Sequence, residues 1–196
     1  MESRYRNYWS HKKILQAEED TIQNLDIVND TNYLSLFKKG EITAKEIASK
    51  NHEDGLLYEV TILEDNKPIV FLEINHQNEF IDVNFIDEEG RNYLNYHFIE
   101  VEPKKKLFLR EVWYYYFSNA ETNNDDSRVH FVFDPEGNVA YREYDNINEK
   151  GSDYEINEFS DVESLYEPYP EFGNYEGLTK LERQMTFLDN IDGIKL

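Results

Sequence analysis

Between residues 56 and 145, apolar side chains recur at every second position, and this alternation restricts the fold more than any other feature of the chain. A period of two places successive side chains on opposite faces of a β-strand. The predicted strands cover residues 56–63, 68–74, 81–85, 92–101, 106–117, 129–133 and 139–145. Because turns or short polar loops join them in order, the pattern predicts an antiparallel meander of about six to seven strands.

The segment KLFLREVWYYYF at residues 106–117 is apolar on both faces, which is typical of a central strand covered on both sides. An alternative interpretation makes the aromatic run at 113–116 a stacking platform for bases or sugars. Such a platform is expected to have basic residues around it. Only Arg110 and the basic turn at 104–106 are near in sequence, so we favour the core strand.

The first third of the chain has helical patterns instead. Three short helices are predicted, at residues 10–25, 31–40 and 43–51. Ser10, Thr31 and Thr43 are the predicted N-caps, because their hydroxyl groups can accept a hydrogen bond from the first helical turn. The sequence TAKE is a capping box, in which Glu46 reaches back to the N–H of Thr43.

These patterns predict an α+β fold in which N-terminal short helices pack on the antiparallel β-meander, with a further helix at residues 178–188. Hydrophobic residues make up 39% of the chain and aromatic residues 15%, so a core can form. We expect one domain over residues 1–196. Its helical part lies at 1–52, its antiparallel sheet at 56–145, and an acidic, aromatic segment with the C-terminal helix at 146–196.

The formal net charge of −21 argues against a protein that grips duplex nucleic acid, because phosphate contacts need a Lys/Arg surface. The absence of cysteine from the sequence excludes a disulfide framework, a thiolate zinc site and a thiol nucleophile. The N-terminus lacks the apolar core of a signal peptide, and no apolar run approaches the roughly 20 residues that span a bilayer. We therefore expect a cytoplasmic protein without membrane contact.

Signals of catalysis are weak. The sequence has no phosphate-binding loop, no dinucleotide-binding glycine motif, no nucleophile elbow and no H-E-x-x-H zinc motif. Its five histidines are scattered. Adjacent carboxylates, such as Asp125 and Asp126, could bind a hard cation, but solvated turns explain them better. We predict no catalytic residue, no metal and no cofactor.

The negative charge is concentrated near the C-terminus, where residues 143–176 hold 11 acidic side chains and one basic side chain, Lys150. Tyrosines lie among these acids. Tyrosine suits interfaces, and carboxylates steer a basic partner towards a surface. An alternative interpretation is a solvated segment that its aromatic residues pin to the core. The candidate partner-binding residues are Asp153, Tyr154, Glu155, Glu158, Asp161, Glu163, Tyr166, Glu167, Tyr169 and Glu171.

Five segments give the chain the look of a bacterial immunity protein: RNYW at 6–9, VTILEDN at 60–66, FIDEEGRNYL at 85–94, KLFLREVWYYYF at 106–117 and YPEFGNY at 169–175. The chain thus resembles the antitoxins that neutralise secreted or contact-delivered polymorphic toxins. This resemblance implies a small, acidic, cytoplasmic, non-catalytic protein that is specific to one toxin. Such proteins often bind over or beside the basic active site of a nuclease.

The leading hypothesis is therefore an immunity protein that binds and neutralises a cognate cationic toxin domain, without binding nucleic acid itself. A second hypothesis is a nucleic-acid mimic from a phage or mobile element, which occupies a DNA-binding groove; it shares the electrostatics but acts against host or defence proteins. A third is a metal-dependent hydrolase that uses aspartate and glutamate. That reaction needs several carboxylates and a histidine in one pocket.

Overall fold

The computed structural model describes residues 1–156, 161–181 and 183. The chain forms two compact units, Met1–Tyr93 and Leu94–Leu196. The prediction of an α+β fold with antiparallel strands is confirmed.

Among the described residues, nearly all the helical structure lies in the first unit. Its helices are α1 (Glu18–Asn29), α2 (Tyr33–Lys38) and α3 (Ala44–Asp54). Its strands are β1 (Glu2–Arg4), β2 (Tyr8–Trp9), β3 (Ile14–Leu15), β4 (Tyr58–Glu64), β5 (Lys67–Asn75) and β6 (Phe80–Ile86). Strands β1, β4, β5 and β6 are antiparallel neighbours in that order, whereas β2 and β3 pair with each other.

The alternation in β4, β5 and β6 buries one face of these strands. Tyr58, Ile74 and Ile81 are directly opposite one another across the three strands, and all are fully buried. The helices are attached just before β4, where the backbone carbonyl of Leu57 accepts hydrogen bonds from the buried side chains of Asn29 and Asn51. Both amides therefore satisfy a backbone carbonyl that lies just outside β4.

The capping box of α3 is confirmed. The Thr43 hydroxyl accepts a hydrogen bond from the Glu46 N–H at 3.2 Å, and the Glu46 carboxylate accepts from the Thr43 N–H at 2.8 Å. The helix continues beyond the predicted end at residue 51 and stops at Gly55, which adopts a left-handed conformation with φ 72°.

The helix predicted from Ser10 is wrong in its first turns. Residues Ser10–Lys12 form a single 3₁₀ turn, and α1 begins only at Glu18. The reason is a small hairpin: Lys13 has φ 53°, and the N–H of Gln16 donates to the carbonyl of Asn7. The N-cap of α2 also differs, because Asn32 occupies that position in place of Thr31.

The described part of the second unit is mostly sheet. Its strands are β7 (Asn92–Glu102), which begins two residues before the unit boundary, β8 (Lys106–Tyr116), β9 (Ser127–Phe133), β10 (Val139–Asp145), β11 (Lys150–Ile156) and β12 (Tyr166–Pro168). Strands β7 to β11 are antiparallel in sequence order. Strand β12 pairs with the first three residues of β8.

The predicted number of strands is too low. The seven predicted strands correspond to β4–β10, but the described residues hold twelve. The additional ones are short or polar, so they show no clear alternation of apolar side chains. The helix predicted at 178–188 is absent from its described residues: 178–179 lie in a turn, and 180, 181 and 183 are not helical. Its other residues lie outside the described part of the chain.

Candidate protein-binding surface

The first two candidate residues lie on the hairpin formed by β10 and β11. Asp153 is opposite Arg142 in the register, and its carboxylate accepts a hydrogen bond from the Arg142 guanidinium at 2.7 Å. Tyr154 is opposite Tyr141, and their rings stack with centroids 4.6 Å apart and planes 11° from parallel. The stack holds an exposed Tyr154 in one orientation.

Carboxylates and tyrosines share the Tyr154 face of this hairpin. The Tyr154 hydroxyl donates to the Glu143 carboxylate at 3.4 Å. Burial raises the pKa of the Tyr116 hydroxyl, and the negative charge of the nearby Glu143 adds to this effect. We call Tyr116, Tyr141, Glu143 and Tyr154 the tyrosine–carboxylate face. Tyr116 and Tyr154 are 39% and 40% exposed, so each can contact a partner.

The next four candidates lie between β11 and β12 or at their ends. Glu155 pairs with Ala140 through its backbone, while its side chain and all of Glu158 lie outside the described part of the structure. Asp161 and Glu163 are exposed, and the Asp161 carboxylate accepts the Glu163 N–H at 3.0 Å. The sequence order thus brings Asp161 and Glu163 together, within one turn.

Tyr166 and Glu167 lie on β12 and contact other parts of the second unit. The Tyr166 ring packs on Phe108 with centroids 5.0 Å apart, and the Lys106 ammonium lies 3.9 Å from its centroid. Glu167 is buried, and one carboxylate oxygen accepts hydrogen bonds from Lys180 at 3.0 Å and Arg183 at 2.8 Å. Glu167 is therefore an internal ion-pair residue and does not belong to an exposed acidic surface.

The last two candidates follow β12. Burial raises the pKa of the Tyr169 hydroxyl, and the neighbouring charge of Glu100 adds to this effect. Glu171 is exposed, and its backbone carbonyl accepts the N–H of Asn174 at 2.9 Å. A cavity of about 230 Å³ lies beside them and is also lined by Leu178. The predicted segment is thus divided between the β10–β11 hairpin and the region of β12.

The opposite face of the hairpin carries a cluster that sequence reasoning missed. Trp113 of β8, His130 of β9 and Arg142 of β10 are opposite one another in the register, and Tyr115, Arg128 and Tyr144 form the next row. We call these six residues the aromatic–arginine face. The sequence pattern indicated only the aromatic run on β8, because the basic side chains come from strands that follow later in the chain.

Ring stacking organises the aromatic–arginine face. The Trp113 and His130 rings are 3.7 Å apart between centroids, and Trp113 is also stacked with Tyr115 and Tyr144 at 6.2 and 6.0 Å. Burial lowers the pKa of His130, although a hydrogen-bond contact of 2.9 Å with Glu111 acts in the opposite direction. The basic residues expected around a stacking platform are therefore present.

Among the described residues there is neither a metal-ligand cluster nor a membrane-spanning helix. No group of three or more His, Asp or Glu side chains is arranged to hold a metal ion. No helix among these residues is long and apolar enough to cross a membrane.

No protein-family model matches the chain, and no curated protein matches it. One solved structure to which the chain is similar is a crystal structure of a mutant of TarM from S. aureus, in complex with Fondaparinux, alpha-GlcNAc-glycerol and UDP. The two chains are 8% identical, and the match covers 68% of this chain and 31% of that chain with a TM-score of 0.26. A TM-score this low does not indicate a shared fold.

Proposed function

We propose that this chain is a non-catalytic immunity protein that binds and neutralises a cognate cationic toxin domain, a nuclease, through the acidic and tyrosine-rich surface of its second unit. The observation that carries the proposal is the tyrosine–carboxylate face. Its exposed Tyr154 is held by stacking on Tyr141 and by its hydrogen bond to Glu143.

This arrangement suits a basic partner for two reasons. Stacked tyrosines lose little conformational entropy on binding and offer large apolar faces, so they are effective interface anchors. Glu143 lies between Tyr154 and Tyr116, where it can pair with a lysine or arginine that the partner brings against the rings. The surrounding negative charge would accelerate the encounter and align the partner.

The direct test is co-expression with the toxin-like product of the gene beside its own. We expect cells to survive the toxin and a complex to elute as one species in gel filtration. Tyr154→Ala combined with Glu143→Gln should weaken the complex. Glu41→Gln combined with Asp54→Asn, which changes two exposed acids of the first unit, is the matched control.

Three results would contradict the proposal. They are the lack of any toxin-like gene beside this one, unprotected cells with no complex in gel filtration, and an equal loss of binding in the control variant. Circular dichroism of both variants would show that the fold is retained.

A further inference from the structure

Arg128 differs from the other arginines of the chain. Five of the seven pair with a carboxylate, and these are Arg4, Arg6, Arg91, Arg142 and Arg183. Arg110 is exposed to solvent. Arg128 is half-buried, yet its side chain forms no hydrogen bond or ion pair with any residue that the structure describes. This is unexpected in a chain with 41 acidic side chains.

The aromatic–arginine face holds the Arg128 guanidinium in place. The guanidinium carbon lies 4.9 Å from the centroid of the Tyr144 ring and 5.8 Å from that of Trp113, and Nε is buried without a hydrogen-bond partner among the described residues. Contact with an aromatic ring uses the flat face of a guanidinium. Its in-plane N–H groups therefore remain to be satisfied by an oxygen acceptor.

Arg128 also lines an open depression of about 500 Å³ in the second unit. The other lining residues are Thr122, Asn124, Asp125, Asp126, Asn146 and Ile147. The carboxylates in this wall bind loop amides: Asp125 accepts from the Asn146 side chain at 2.6 Å, and Asp126 accepts from the Ser118 N–H. Both aspartates therefore already accept hydrogen bonds from groups other than Arg128. Ile147, which is 72% exposed, adds an apolar surface.

We propose that Arg128 is the recognition group of a binding site for a carboxylate attached to an apolar or aromatic body. A carboxylate would take two parallel hydrogen bonds from the guanidinium, and its apolar body would lie against Ile147. Asp125 and Asp126 repel negative charge, so the site disfavours a doubly charged phosphate more than a singly charged carboxylate. A free carboxylic acid and an acidic side chain of a protein partner both supply this chemistry.

A half-buried guanidinium without a partner is costly, and a bound carboxylate would remove that cost. The proposal therefore predicts that ligand binding stabilises the second unit. It does not depend on the proposed immunity function, since carboxylate binding to the isolated chain involves no toxin.

The test uses the full chain with Trp9→Phe, so that fluorescence reports on Trp113. Phenylacetate is the probe, its neutral analogue phenylacetamide is the control ligand, and inorganic phosphate is the third ligand. We expect saturable quenching by phenylacetate below about 10 mM and none by phenylacetamide. Arg128→Gln should weaken binding about tenfold or more. Arg110→Gln, which changes the exposed arginine, should leave it unchanged.

The source of the carboxylate is tested by competition with a capped Phe-Glu-Phe peptide whose only charge is the glutamate. Displacement of phenylacetate by the peptide would identify a protein side chain as a ligand, and failure to displace it would identify the free acid. Arg128→Lys, checked by circular dichroism, covers the case in which the glutamine variant does not fold. Equal binding by folded Arg128 variants, no saturable binding, or tighter binding of phosphate would each overturn the proposal.

Discussion

The rings of Trp113 and His130 lie face to face, with centroids 3.7 Å apart and planes 8° from parallel, although 16 residues separate them in the chain. The two residues are directly opposite each other on β8 and β9. Because each ring shields the other from water, this pair couples the protonation of His130 to the packing of the aromatic–arginine face.

Replacing Trp113 by alanine should raise the pKa of His130 towards its ordinary value, because the burial that lowers it is lost. The free energy of unfolding should fall by about 2–3 kcal/mol, less than for a fully buried tryptophan. NMR titration of the His130 ring and denaturant unfolding measure the two effects. An unchanged pKa in a folded variant would show that Trp113 does not shield the imidazole.

Glu59→Gln should remove a pH-dependent contribution to the unfolding free energy of the first unit. Burial raises the pKa of Glu59 to about 8, and the neighbouring Glu73, opposite it in the register, adds to the rise. A carboxyl group whose pKa is higher in the folded than in the unfolded chain makes its full contribution to stability at pH values below the unfolded pKa. That contribution is lost as the pH rises from the unfolded pKa through the folded one.

We therefore expect the wild-type chain to lose about 1–2 kcal/mol of unfolding free energy between pH 6 and pH 9, a value reduced for partial exposure to solvent. Glu59→Gln should lose less, and it should exceed the wild type in stability at pH 9. Glu64→Gln, at the exposed end of the same strand, is the control and should follow the wild type. Parallel curves for wild type and Glu59→Gln would refute the assignment.

Glu167→Gln should destabilise the second unit strongly. The substitution removes the charge that pairs with Arg183, whose side chain is only 2% exposed. Breaking a buried pair leaves an uncompensated charge and costs about 3 kcal/mol. Lys180→Gln is the matched control, because Lys180 bonds to the same carboxylate but is 55% exposed. Its cost should stay below about 1 kcal/mol, and equal costs in urea unfolding would contradict the buried-pair argument.

Neutralising Glu155, Glu158, Asp161 and Glu163 together should slow association with the cationic toxin at low salt. The reason is that long-range attraction acts mainly on the rate of encounter. Stopped-flow mixing measures that rate, and the difference should shrink as salt screens the charges. An unchanged rate at low salt would place the binding surface elsewhere on the chain.

Local patterns were sufficient to predict part of this molecule. The alternation predicted β4–β10, and the TAKE sequence predicted the capping box at Thr43, because both depend on residues a few positions apart. The same reasoning failed at Ser10, where the pairing of β2 with β3 overrides the helical spacing of the apolar residues. Short strands such as β12 were not predicted, because three residues are too few to show an alternation of apolar and polar side chains.

The sequence by itself determined the class of fold, the strands of the meander and the uneven charge, since these follow from composition and short periods. The tertiary structure decided which side chains meet. Strand register brings Trp113, His130 and Arg142 into one row, and it leaves Arg128 among aromatic rings without a carboxylate partner in the described part of the chain. It also buries Glu167, which the acidic composition alone had assigned to the surface. Pairings of this kind depend on contacts between distant segments, and no local pattern encodes them.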